Sequence, residues 1–96
     1  MDENASLQIR ITSPRELIYE GAAASVSSTN VDGNFDILPY HANFITFVQG
    51  KKIIIRPVGG GEPKEFTLDF AIVYNKDNHV NIYTEIQLPN LEELAD

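Results

Sequence analysis

Two histidines and a short row of oxygen-bearing side chains are the residues of this sequence that could carry chemistry. Asp36 lies five positions before His41, so a carboxylate could orient the imidazole, as in a hydrolytic triad. However, no serine or threonine stands on a recognisable nucleophile elbow, and the sequence contains no cysteine. His79 follows a polar turn and is predicted to face solvent. These residues do not predict a hydrolytic site.

Oxygen-bearing side chains also alternate at Asp32, Asn34 and Asp36, as ligands do in calcium-binding loops. The distal glutamate of such a loop is missing here, and the large aromatic Phe35 interrupts the row. A second candidate, the glycine triplet 59–61, lacks the following Lys-Ser/Thr of a phosphate-binding loop and has no helix behind it. We therefore predict no metal and no cofactor, and we interpret the triplet as a hairpin loop.

The composition argues against several function classes. The chain has 96 residues, which predicts a single domain over residues 1–96. Its 14 acidic and 7 basic residues give a net charge of −7, and this balance argues against a nucleic-acid partner. The acidic N-terminus is unlike a signal peptide, and no apolar run approaches the roughly 20 residues of a membrane span, so no direct membrane insertion is expected. Recognition of a partner surface is the function class that remains.

Alternating apolar residues predict that most of the chain forms β-strands. Leu7, Ile9 and Ile11 share one face with polar residues between them, which is the period of a half-buried strand. Consecutive isoleucines at 53–55 favour a strand over a helix, because β-branched side chains pack well on a pleated sheet. The other predicted strands are the short piece Leu17–Tyr19, Ala22–Ser28 with Ala24 and Val26 inward, Phe35–Ile37, Phe44–Val48, Phe66–Tyr74 as one unbroken alternation, and His79–Glu85 with Val80 and Ile82 inward.

Turn-forming residues separate these strands. Asp32-Gly33 predicts a tight hairpin turn, since this pair tolerates the positive φ that such turns require. The run Asn75–Asn78 is interpreted as a later turn, and Asn90 with Glu93 matches a helix capping box. The sequence therefore predicts an all-β fold, a β-sandwich or flattened barrel of about eight to ten short, mostly antiparallel strands. The sandwich is predicted over residues 7–86, with a short helical stub at 87–96.

The segment from Ser13 to Phe44 resembles the N-terminal β-sandwich domain of the epsilon subunit of F-type ATP synthases. Ser13-Pro14, followed by Tyr19 and Gly21, matches the element that comes after the first strand in that family. The family motif G-x-[LF]-x-I-L/Y-P-x-H-A is matched in order by Gly33, Phe35, Ile37, Pro39, His41 and Ala42, and the expected apolar strand begins at Phe44. The resemblance extends from Leu7 to about Glu85.

The resemblance implies a non-catalytic subunit of the central stalk, the rotor of the ATP synthase. In that family the β-sandwich binds the gamma subunit and rests on the c-ring, and so helps couple ion translocation to ATP synthesis. The resemblance also implies a peripheral position at the cytoplasmic face of the membrane, where a bacterial or archaeal cell is assumed. The residues that it places at the contact with the gamma subunit and the c-ring are Asp32, Gly33, Asn34, Asp36, Tyr40 and His41.

The sequence departs from the family pattern at two places. Leu68-Asp69-Phe70 stands where the family carries a Ser/Gly-Gly pair at the entry to its penultimate strand. The C-terminal helical hairpin of many relatives is not in this sequence, so neither its inhibition of ATP hydrolysis nor ATP binding is expected.

A stand-alone β-sandwich that binds a protein or a glycan is the alternative interpretation. Phe35 and Ile37 are expected to anchor one rigid, acidic edge in the core. Asp32, Asn34 and His41 are expected to face a partner from that edge. The segment from Val31 to Ala42 is therefore predicted to form one docking surface.

Overall fold

The computed structural model describes residues 5–85, and all regular secondary structure in that range is β. The strands are β1 (Leu7–Thr12), β2 (Leu17–Asn30), β3 (Gly33–Ile37), β4 (Phe44–Val48), β5 (Lys52–Pro57), β6 (Lys64–Thr67), β7 (Ala71–Lys76) and β8 (His79–Thr84). The all-β prediction is confirmed, and the number of strands falls in the predicted range. The helical stub predicted at 87–96, with its capping residues, lies outside the described residues.

The strands form one curled sheet in the order β4-β7-β8-β1-β2-β5-β6, and β3 pairs with β2 beside this path. β1 and β8 run parallel, whereas the other strand pairs of the described range are antiparallel. The sheet curls because β2 changes partners along its length. Its first half pairs with β1, and its second half lies between β3 and β5.

The concave side of the sheet encloses one apolar core. Leu7, Ile9 and Ile11 of β1 are fully buried, as the alternation predicts, and so are Val80 and Ile82 of β8. Strands on both sides contribute β-branched or small side chains. The remaining buried apolar residues are Ala23, Val26, Ile37, Val48, Ile53, Ile55, Ala71 and Val73.

β2 is one strand of 14 residues rather than the two short strands that were predicted. The chain continues through Gly21 in extended conformation, paired with Ile9 of β1. The prediction that Ala24 faces inward is also wrong, because Ala24 is exposed and Ala23 is buried. The pairing with β5 shifts between Ala23 and Ser25. This bulge inserts one extra residue and so moves the inward position.

The alternation from Phe66 to Tyr74 does not form one strand, so that prediction is wrong. Residues 68–70 lie between β6 and β7 and belong to neither strand. Phe66 packs against the core from β6, whereas Ala71 and Val73 are the buried positions of β7. The inward positions thus change from even to odd numbers across the linker. Apolar residues can therefore alternate with a period of two across a break between two strands, and the sequence pattern does not reveal that break.

The hairpin between β2 and β3 confirms the predicted turn and places its positive φ at Gly33. The Asn30 side-chain oxygen accepts a hydrogen bond from the Asp32 N–H at 2.9 Å, which fixes the turn locally. Gly33 has a φ of 118°, and a Cβ built on it would meet no atom within 4 Å. Backbone conformation, rather than crowding, is therefore what favours glycine at this position.

We expect Gly33→Val to lower the free energy of unfolding by about 1–3 kcal/mol, because a β-branched residue is strained at this φ. Chemical denaturation would measure the change. Gly61→Val is the matched control, since Gly61 is exposed, has no positive φ, and would place its Cβ at an ordinary 3.4 Å from Pro57. Equal midpoints for the two variants would contradict the assignment of backbone strain to Gly33.

Candidate partner-binding surface

The turn between β2 and β3 forms an exposed tip at one end of the sheet. Val31 is 96% exposed, and the neighbouring Asp32 is also exposed. Phe47 and Lys51 line a small cavity together with Val31, and the exposed Phe47 ring stacks on Phe70 with ring centroids 5.6 Å apart. An apolar patch of this kind, bordered by charged side chains, is typical of an interaction site.

Asn34 and Asp36 lie on a polar face of β3 instead of at the tip. The Thr29 hydroxyl lies 2.8 Å from Asn34 Oδ1, and the Ser27 hydroxyl donates a hydrogen bond to Asp36. Arg56 of β5 donates to Ser27 Oγ at 2.7 Å, so a guanidinium, a hydroxyl and a carboxylate are connected across three strands. These residues line an open cavity of about 350 Å³. Asp36 is hydrogen-bonded within its own sheet face.

The loop after β3, residues 38–43, presents Tyr40 and His41. The His41 N–H donates to the Leu38 carbonyl at 3.0 Å and closes the turn. Tyr40 has a φ of 67°, and its side chain is 67% exposed. His41 Nδ1 lies 2.7 Å from the Ala42 carbonyl oxygen. A carbonyl oxygen only accepts, so Nδ1 carries the proton and Nε2 remains as a hydrogen-bond acceptor in the neutral imidazole.

An aromatic row connects this loop to the core. The His41 ring lies 5.0 Å from the ring of Phe44, and Phe44 meets Phe35 edge-to-face at 5.8 Å. Phe35 and Phe44 are half-buried against the core, and Ile37 beside them is fully buried. The aromatic residues of the motif thus pack beneath the loop, while His41 remains exposed at its surface.

Asn75 holds the loop from below, although the sequence pattern placed it in a turn. β7 continues through Lys76, so Asn75 is a strand residue, and that part of the turn prediction is wrong. Its side chain is fully buried, and Nδ2 donates to the carbonyl oxygens of His41 and Ala42 at 3.3 and 3.1 Å. Its Oδ1 has no hydrogen-bond partner within residues 5–85. Asn75 therefore fixes the backbone on which His41 stands.

Two asparagines connect the loop to the turn between β7 and β8. Asn78 Oδ1 accepts the Tyr40 N–H at 2.6 Å, and Asn43 Oδ1 accepts the Asp77 N–H at 2.9 Å. Together with His41, these four residues line a cavity of about 370 Å³. Sequence reasoning missed both asparagines as loop contacts. The cluster of asparagines indicates a turn, but nothing in it indicates which distant segment the side chains bind.

The convex face of β4, β7 and β8 is largely apolar. Ile45 and Phe47 of β4 are exposed, and their cross-strand partners on β7 are Tyr74 and Ile72. Ile72 is in turn opposite Tyr83 of β8, which is also exposed. Cross-strand partners share a face of the sheet, so these residues form one continuous surface.

The predicted contact residues fall into separate groups rather than on one edge. Gly33 is the first of the 5 residues of β3, which rises by about 3.3 Å per residue, and Tyr40 lies beyond the other end of that strand. The cavity beside Asp36 shares no lining residue with the cavity beside His41. Asp36 is hydrogen-bonded to Ser27 and His41 Nδ1 to the Ala42 carbonyl oxygen, so no hydrogen bond among the described residues lets Asp36 orient the His41 imidazole.

Neither a metal cluster nor a spanning helix is found in residues 5–85. No three His, Asp or Glu side chains in that range come close enough together to hold a metal ion. No helix of the described segment is long and apolar enough to cross a membrane. What the described residues offer is a set of exposed loops and one apolar sheet face.

Comparison with known proteins relates this fold to one family. Residues 6–89 match the family described as the β-sandwich domain of the ATP synthase delta/epsilon chain. The ATP synthase epsilon chain of Micrococcus luteus is 33% identical over 57 residues, which are 59% of this chain and 63% of the relative. The ATP synthase epsilon chain of Endomicrobium trichonymphae is 30% identical over 78 residues, covering 81% of this chain and 55% of the relative.

Solved structures with the same fold come from mitochondrial ATP synthases. A chain in the Euglena gracilis enzyme, solved as OSCP, F1 and c-ring, superposes with a TM-score of 0.77 at 18% identity, covering 99% of this chain and 62% of that one. A chain from the central stalk and c-ring of the Tetrahymena thermophila enzyme gives 0.67 at 13% identity, covering 92% of this chain and 69% of that one. At these identities the likeness shows the fold alone. The chain spans 55% to 63% of the length of the two epsilon chains described above.

Proposed function

Because this chain belongs to the family of ATP synthase delta/epsilon β-sandwich domains, we propose that it is a non-catalytic central-stalk subunit of an F-type ATP synthase. In this role it binds the gamma subunit and the c-ring, and it helps couple ion translocation to ATP synthesis. The match of residues 6–89 carries the proposal, since it includes every strand of the described fold. Residues 1–96 act as one domain, peripheral to the membrane at the cytoplasmic face of a bacterial or archaeal cell.

The convex face of β4, β7 and β8 supports binding to a protein partner. Ile45, Phe47 and Tyr83 are exposed there, and aromatic side chains are enriched at interface centres because they bury a large area. A rotor subunit that turns with its neighbour needs a contact that persists, and an apolar face supplies one. We assign this face to the gamma subunit.

The separation of the predicted contact residues supports two contacts instead of one. The tip formed by Val31, Asp32 and Gly33 is assigned to the c-ring, because an exposed acidic turn suits basic loops and would orient the contact. Tyr40 and His41, beyond the other end of β3, are assigned to the gamma subunit together with the apolar face. Asn34 and Asp36 stay in the proposed contact region, on the polar face between the two ends.

Binding to the gamma subunit of the same organism tests the proposal. We expect the two proteins to elute as one complex in size-exclusion chromatography. We expect Ile45→Asp to weaken binding by about tenfold or more, because truncation of an interface anchor costs at least about 1–2 kcal/mol. Isothermal titration calorimetry would measure the affinities.

Leu17→Asp is the matched control, since Leu17 is also an exposed aliphatic residue but lies at the start of β2. It should bind the gamma subunit like the unchanged protein. No complex with a correctly folded gamma subunit would contradict the proposed function. Binding of a glycan or an unrelated peptide in its place would favour the stand-alone module.

A further inference from the structure

Tyr40 adopts a left-handed backbone conformation that is not compensated by packing within the domain. Four non-glycine residues between 5 and 85 have positive φ, namely Tyr40, Asp77, Asn78 and Glu85. Asn and Asp tolerate the left-handed region, whereas an aromatic residue is strained there. Burial of the side chain can compensate for backbone strain, but Tyr40 is 67% exposed. Residues held in this way, strained and exposed, are concentrated at functional sites.

The surrounding loops hold Tyr40 in place with two hydrogen bonds. Its N–H donates to Asn78 Oδ1 at 2.6 Å, and the Asp77 N–H next to Asn78 donates to Asn43 Oδ1 at 2.9 Å. Because each loop contributes one side-chain acceptor to the other, the two loops brace each other. The ring is therefore presented in a fixed position, and less conformational entropy is lost when a partner binds it.

The cavity beside the ring has the chemistry of a cation site. Its lining residues include Tyr40, Asp77 and His41, and the Nε2 of His41 remains an acceptor in the neutral imidazole. An aromatic face attracts an organic cation, and Arg is the commonest such partner. A carboxylate beside the ring adds a hydrogen-bonded ion pair. The net charge of −7 would draw a basic segment towards this surface.

We propose that this cavity receives a lysine or arginine side chain of the gamma subunit, which lies over the Tyr40 ring and pairs with Asp77. Asn78 is a positioning residue that acts by holding Tyr40. The inference rests on the proposed function, because the gamma subunit is the neighbour assigned to this end of β3. The proposed cavity extends the contact to the β7–β8 turn, where Asp77 lies 36 residues after His41 in the sequence.

Tyr40→Gly separates a binding role from a structural one, since the two roles predict opposite results. Glycine relieves the positive φ and keeps the N–H that donates to Asn78, so the thermal midpoint should be equal to or above that of the unchanged protein. The affinity for the gamma subunit should nevertheless fall about tenfold or more, as for a tyrosine hot spot. Glu85→Gly is the matched control, because it also relieves a positive φ of 53° at an exposed residue but should leave affinity unchanged.

Asp77→Asn tests the charge without disturbing the turn, since Asn tolerates a left-handed backbone. Affinity for the gamma subunit should fall about fivefold at low salt, and the difference should shrink in 0.5 M salt. Asp69→Asn, at an exposed aspartate between β6 and β7, should bind like the unchanged protein. An equal loss in both variants would mean that overall charge, and not this cavity, attracts the partner, and would overturn the proposal.

A double-mutant cycle tests the role of Asn78. Asn78→Gly keeps the turn but removes the acceptor for the Tyr40 N–H, so affinity should fall about threefold in the unchanged background and not at all in Tyr40→Gly. If the unchanged protein binds the gamma subunit and Tyr40→Gly binds within twofold of it, the cavity proposal is overturned while the proposed function stands. Failure of the unchanged protein to bind overturns both.

Discussion

Asn75→Asp is expected to lower the free energy of unfolding at pH 8 by about 3–5 kcal/mol, because it places an unpaired carboxylate in the core. The Asn75 side chain is fully buried, and its amide donates to the carbonyl oxygens of His41 and Ala42. A carboxylate in the same position would lose both donated bonds and face two carbonyl oxygens. In a domain whose total stability is of the order of 5–15 kcal/mol, this change removes a large fraction of that stability.

The pH dependence of the variant identifies the cause. Burial raises the pKa of the introduced carboxyl in the folded state above its value in the unfolded chain, so the folded state binds the proton more tightly. Stability is therefore recovered as the pH falls through the folded-state pKa, and is lost again as the pH rises. Thermal melts at pH 5 and pH 8 would measure the difference.

Asn75→Ala is the control for the loss of the amide alone. It should cost about 1–3 kcal/mol, because the two carbonyl groups lose a donor, and this cost should not change between pH 5 and pH 8. If Asn75→Asp and Asn75→Ala melted at the same temperature at pH 8, the carboxylate would not be buried in the variant. The role of Asn75 beneath the loop would then be wrong.

The strands of this fold could be predicted because a half-buried strand has a recognisable alternation of apolar and polar residues. Each of β1 and β8 has one face on the core, so apolar and polar residues alternate along it. The strand prediction failed where the chain leaves the sheet or forms a bulge while the apolar residues in the sequence continue to alternate. Residues 68–70 leave the sheet without interrupting the alternation from Phe66 to Tyr74, and the β2 bulge moves the inward position from Ala24 to Ala23. Pairing partners decide both features, and they are far away in sequence.

The candidate surface was predictable to a smaller extent, for a related reason. The motif residues from Gly33 to Ala42 could be recognised because they are contiguous. The side chains that shape their loop, Asn75 and Asn78, come from a hairpin more than 30 residues later, and their nearest signal is a run of turn-forming residues. Likewise, a sequence motif does not show how far apart its members lie. Gly33 and Tyr40 lie at opposite ends of β3, so the residues predicted to share one edge do not lie together.

Ile37→Ala is expected to destabilise the domain by about 2–5 kcal/mol, because it deletes a fully buried aliphatic side chain and leaves a cavity. Ile37 is the only residue of β3 that is fully buried, and β3 pairs with a single neighbour in the described sheet, β2. Of the side chains of this strand, Ile37 is thus the one buried most deeply in the core, and Phe35 is half-buried beside it. At roughly 4–8 °C per kcal/mol for a domain of this size, the thermal midpoint should fall by about 8–40 °C.

The neighbouring residue provides the matched control. Leu38 is 54% exposed, so Leu38→Ala should change stability by no more than about 0.5 kcal/mol, as for other surface substitutions. Ile37→Val, which removes a single methylene group, should lie between the two at about 0.5–1.5 kcal/mol. This order follows from burial alone, and it separates loss of packing from any effect on the contact residues on either side. If Leu38→Ala were as damaging as Ile37→Ala, β3 would present the opposite face to the core, and Asn34 and Asp36 would point inward.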